Sequence, residues 1–260
     1  MTDNSFDKNN NVVGVETLNN DAIQVLDNMD LNGSKLNVAV NALMYSIIKN
    51  GYIDDMTNSV LVTVSNSELA KKNGISEYIT NEINTAFTEN SIEGSVLVQT
   101  METTSDIKEM SQKYNITAGK ASLIKHLVES GKTTYTVDAL ANLSINELNL
   151  ILSAKEATEK VTVFGHASTK AYIGNDVAKN IAYTSSGIDP YTVKHSSCEM
   201  DLEEGTIIYD VEFIVPGAIY ECEIDALTGE VCSTEVEPVD DDVIDSIDVD
   251  EDDIAEEQSV

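Results

Sequence analysis

The sequence predicts an α+β protein: a small mixed α/β domain with a helical arm, then one helix set against an antiparallel sheet, and last a disordered acidic tail. Three observations predict it. Short β-branched runs alternate with helical periodicity in the first hundred residues, the pattern is wholly helical from 106 to 154, and from 193 to 236 apolar and acidic residues alternate. The expected boundaries are 1–104 for the α/β domain, 105–154 for the arm, 155–169 for a linker, 170–237 for the second domain and 238–260 for the tail.

Each element has its own warrant. "NVVGVETLN" reads as a strand, and after "NGS" the residues Leu36, Val40, Leu43, Met44, Ile47 and Ile48 recur at helical spacing, with Ser34 as the expected N-cap and Gly51 as the stop. "SVLVTVS" and "SVLVQTM" are compact strands, and between them Ile75, Ile79, Ile83 and Phe87 share one helical face. The recurrence of SVLV does not by itself establish a repeat. In the arm, "SINE" is a capping box, Ser144 followed three residues later by Glu147. A helix over 175–185 presents Val177, Ala178, Ile181 and Ala182 as its apolar face, and Gly187 ends it. Strands over 193–202, 206–215, 219–225 and 230–236 follow, the middle two alternating Tyr209, Val211, Phe213 and Tyr220, Cys222, Ile224 with acids.

Composition narrows the function. Among 260 residues there are 46 acids and 15 bases, a net charge of −31, and every base is a lysine. Phosphate binding needs clustered cations, so nucleic acid is excluded as a partner. No stretch is long and apolar enough for a membrane span, and the first residues have no signal-peptide pattern. Cys198, Cys222 and Cys232 fit neither a disulfide framework nor zinc spacing; Cys198 and Cys222 lie on apolar phases of neighbouring strands, as core residues or as a cross-strand disulfide.

The second domain resembles the PepSY module of bacterial envelope and secreted proteins, through "AYIGNDVAKNIAYTSSGI", "YDVEF" and "YECEIDALTGEV". Its hairpin gives the candidate structural residues Asp225, Thr228 and Gly229, the last two forming the turn. Residues 1–154 resemble the extracytoplasmic middle domain of RsgI-type anti-sigma factors, through "NSFDKNNNVVGVETLNNDA", "AVNALMYSIIKNGYI", "NSVLVTVS", "YNITAGKASLIKHL" and "LANLSINELNLIL". That resemblance implies a transmembrane regulator whose cytoplasmic part holds a sigma factor and whose outer part responds to an envelope signal. The sigma-binding segment and the membrane helix do not occur in this sequence, so a sigma factor is expected as a partner only through a missing N-terminal segment. The family's Asn-Pro cleavage pair has no counterpart either, since none of the prolines Pro190, Pro216 and Pro238 follows Asn.

Catalytic signatures are thin. "SGKT" at 130–133 matches the end of a phosphate loop, but His126 stands where its first glycine belongs. His126, His166 and His195 share no ligand spacing, and Asp248, Asp250 and Asp252 lack the glycine of a calcium loop. The expectation is therefore a non-enzymatic regulatory or sensor portion of an anti-sigma-factor-like envelope protein, with no cofactor and no metal, acting by contacts with unidentified proteins on the extracytoplasmic face. The alternative is a PepSY-type inhibitor or modulator of a peptidase.

Overall fold

The computed structural model describes residues 2–27, 29–65 and 74–239, and divides into two compact units, Met1–Ala171 and Tyr172–Val260. The fold is mixed α+β, with eight α-helices and ten strands among the described residues.

In the first unit β1 (Thr2–Phe6) and β2 (Val12–Thr17) form an antiparallel hairpin. The Asp7 carboxylate closes its turn by accepting the N–H groups of Asn11 and Asn9, at 2.9 and 2.8 Å, and those bonds hold its pKa below the usual range. The strand read from Val12 to Leu18 was expected in one mixed α/β layer with the SVLV strands; it runs over Val12–Thr17 and pairs instead with β1, a polar strand that apolar periodicity does not reveal. Helix α1 (Asn20–Val25) is capped by the Asn19 side chain. Helix α2 (Leu36–Lys49) starts at Lys35 rather than at the expected cap Ser34. Residues 34–36 bond across to 10–12, Val12 N–H to Ser34 O and Leu36 N–H to Asn10 O, and this keeps the chain extended one residue longer. Its end is a Schellman turn: Tyr52 N–H reaches Ile47 O, Gly51 N–H reaches Ile48 O, and Gly51 takes φ +73°.

Strands β3 (Ser59–Ser65) and β4 (Ser95–Met101) pair in parallel with SVLV opposite SVLV, Ser59 to Ser95 through Val62 to Val98. The crossover between them carries helix α3 (Ile75–Glu89). Val62 and Val64 pack with α2 and α3 in one core, while the other face of the sheet meets the arm, α4 (Ser105–Tyr114), α5 (Ala118–Glu129), α6 (Val137–Ala141) and α7 (Ile145–Ala154). Both faces are covered, as a parallel pair requires. The capping box of α7 forms, Glu147 N–H to Ser144 Oγ at 3.2 Å and Ser144 N–H to Glu147 Oε2 at 2.5 Å.

Residues 155–169, expected as a linker, carry β5 (Val161–Phe164), which pairs antiparallel with β4. Four residues, VTVF, are too short a run to signal a strand whose place is set by β4. The order is β3-β4-β5.

In the second unit helix α8 (Asn175–Ser185) packs on a sheet of β6 (His195–Ser196), β7 (Glu199–Glu203), β8 (Thr206–Val215), β9 (Ala218–Asp225) and β10 (Val231–Pro238). The order is β10-β9-β8, with β6 and β7 both on the far side of β8. The single strand expected over 193–202 is interrupted at Ser197 and Cys198 with its register kept. The helix buries Ala178, Ala182 and Tyr183; Val177, expected on that face, points outward. The Tyr183 ring meets Phe213 edge-on and Phe213 stacks on Tyr220, each pair at 4.9 Å. The acidic tail lies outside the described residues from 240 onward, and with it the Asp248, Asp250 and Asp252 pattern.

Candidate functional site

The hairpin singled out by sequence is a five-residue connection closed by one carboxylate. Asp225 Oδ1 accepts from Thr228 N–H at 2.7 Å, Thr228 Oγ1 at 2.8 Å and Leu227 N–H at 3.0 Å. Those bonds, Thr228 first, lower the Asp225 pKa. Gly229 N–H donates to Asp225 O at 2.9 Å with φ +74°, a conformation that favours glycine. All three residues shape the turn.

The sheet face away from α8 is acidic. Across β7, β8 and β9, Glu199 stands opposite Asp210 and Asp210 opposite Glu223; in the next row Glu212 faces Glu221, which faces Glu235 on β10. Like charges in register repel. Burial, then the charges of Glu221, Asp201, Glu223 and Glu199, push the Asp210 carboxyl up to about 6, and its Oδ1 has no hydrogen-bond partner.

The remaining candidates are structural. His126 is buried with Nε2 3.0 Å from Ala157 O, and the His166 carbonyl accepts from Asn58 Nδ2 at 3.0 Å. In SGKT, Ser130 is the C-cap of α5, and Lys132 Nζ binds Glu156 O at 2.5 Å and Glu159 at 2.8 Å. All three cysteines are free; burial pushes the Cys198 thiol up to about 11. Among the described residues no three His, Cys, Asp or Glu side chains are grouped to hold a metal.

Two features of the first unit escape sequence reading. One is a buried polar cluster. Asn149 Nδ2 donates to Ser59 Oγ and Ser95 Oγ at 3.1 and 2.9 Å, Ser59 Oγ to Asn146 Oδ1 at 2.9 Å, and Asn146 Nδ2 to Ser168 O at 2.9 Å. Asn58 joins through Ser168 N–H at 2.8 Å. The other is a groove of about 530 Å3 walled mainly by α1, α2, α3 and β3, with Phe6 of β1 and Ile145 of α7 at its margins. Its lining is apolar, mostly aliphatic with Phe6 and Met44, apart from Asn19, Asp21, Tyr52 and Thr63. Tyr52 Oη donates to Gln24 Oε1 at 2.9 Å, and burial first, then Asp21, raise its pKa. The signal in sequence was the uncharged run "SVLVTVS", which marks a strand but not what lies beside it. A cavity of this size and polarity suits an apolar ligand or chain segment.

Residues 4–126 match the family model of the anti-sigma factor RsgI-like central domain, from the first hairpin into α5. No curated protein matches the chain.

Proposed function

We propose that the chain is the sensor or scaffold portion of an anti-sigma-type regulator and works by contacts with other proteins. The observation that carries this is the match of residues 4–126 to the RsgI-like central domain of anti-sigma factors. The groove, which lies almost wholly within the matched residues, supports a binding role. The second unit is read as an appended PepSY-like module, a reading supported by one helix on an antiparallel sheet, in which Asp225, Thr228 and Gly229 keep the hairpin in shape. Among the described residues no helix is long and apolar enough to cross a membrane. The proposed location is the extracytoplasmic face.

Deleting the coding sequence in its own bacterium and measuring all transcripts tests this. A changed level of the genes served by one alternative sigma factor is the expected result; an unchanged profile under envelope stress overturns the reading.

A further inference from the structure

We propose that the free edge of β3 is a strand-addition site, where an extended, apolar, neutral-to-basic segment of a partner protein lies in the groove. This stands on the geometry of the first unit alone. Five consecutive residues, Val60 to Val64, line the groove. Successive side chains of a strand point to opposite faces, so consecutive residues share one cavity only where it wraps the strand's edge. Among the described residues β3 pairs with β4 alone, and its other edge turns unpaired N–H and C=O groups toward the cavity. Its side chains are only partly covered, Val60, Leu61 and Thr63 being half-buried where Val96 and Leu97 of β4 are fully buried.

Those backbone groups choose the occupant. A lipid tail would fill the aliphatic walls but leave the edge unsatisfied, whereas an extended peptide supplies a ladder and lays alternate side chains on Leu43 and Ile79. Charge narrows it further. β3 carries no charge, the one carboxylate of the lining is Asp21, and the whole chain is at −31, so an acidic strand is repelled. Five residues of edge span about 17 Å at ~3.3 Å each.

The test uses the whole chain and a fluorescent peptide of alternating valine and threonine with a lysine at each end. Saturable binding that slows amide exchange at 60–64 is expected, together with about tenfold weaker binding of the same peptide N-methylated on alternate residues, which removes ladder donors. Ile79→Glu, half-buried in the wall, and Leu61→Lys on the edge should each weaken the peptide about tenfold, with thermal midpoints measured to confirm folding. No binding at millimolar peptide overturns the proposal. So does equal binding of the methylated peptide or of palmitate, which makes the groove an apolar pocket only, and so does concentration-dependent protection of β3 without peptide, which assigns the edge to a second copy. Each of these outcomes leaves the transcript experiment unaffected.

Discussion

The larger sheets of the two units leave edges of opposite character. The outer strand β10 carries Glu235, Glu237 and the terminal Pro238 and is exposed along most of its length, while β3 carries no charge and borders an aliphatic groove. Carboxylates and proline on an edge keep other strands from adding to it. Where the charge stops, pairing becomes possible. The same division runs through the interiors: the first unit is tied by neutral Asn and Ser hydrogen bonds, the second tolerates carboxylates in register.

If the first unit depends on close neutral packing, filling its space should do most harm. In Gly94→Ala the new Cβ would lie 2.1 Å from the ring of the buried Phe87, and a loss of about 3 kcal/mol in urea unfolding, followed by the amide signals of β4, is expected. Asn146→Ala removes one member of the polar cluster and leaves the Ser168 carbonyl and Ser59 hydroxyl short of a partner, for about 2 kcal/mol by the same measurement. Neither cost should depend on pH.

The second unit should respond to charge instead. Because the folded pKa of Asp210 is raised, its protonated form favours the fold, and that contribution is lost as pH rises through about 6. Asp210→Asn is therefore expected to raise the thermal midpoint at about pH 8 and to leave it nearly unchanged only at about pH 3, below the unfolded carboxyl's own range, where Asp210 is protonated in both states. An equal rise at both would assign the effect to shape. The smallest effect is on association: Glu235→Thr with Glu237→Thr should leave stability within about 0.5 kcal/mol yet produce concentration-dependent dimers in light scattering, because the guard on β10 is gone. A monomer at all concentrations would remove the contrast between the edges.

Much of the architecture was legible because helices and half-buried strands announce themselves by period: α2, α3, α7, β8 and β9 lie where their apolar residues place them. What stayed hidden depends on partners distant in sequence. β1 is polar and owes its strand to β2, and β5 is too short to show a period and owes its place to β4. SVLV opposite SVLV could not be known until the crossover brought them together. The turn at Asp225, Thr228 and Gly229 is local chemistry within five adjacent residues, whereas the groove is assembled from elements spread over the first unit and no short motif contains it.

The cluster of Asn58, Ser59, Ser95, Asn146, Asn149 and Ser168 bears on where this protein can be cut. A chain ended at residue 126, where the family match stops, would keep Asn58 and the two serines but lose every side chain and backbone group they bond from beyond that point. The matched segment is shorter than the first unit. A fragment intended to keep the first unit whole has to run through Ala171.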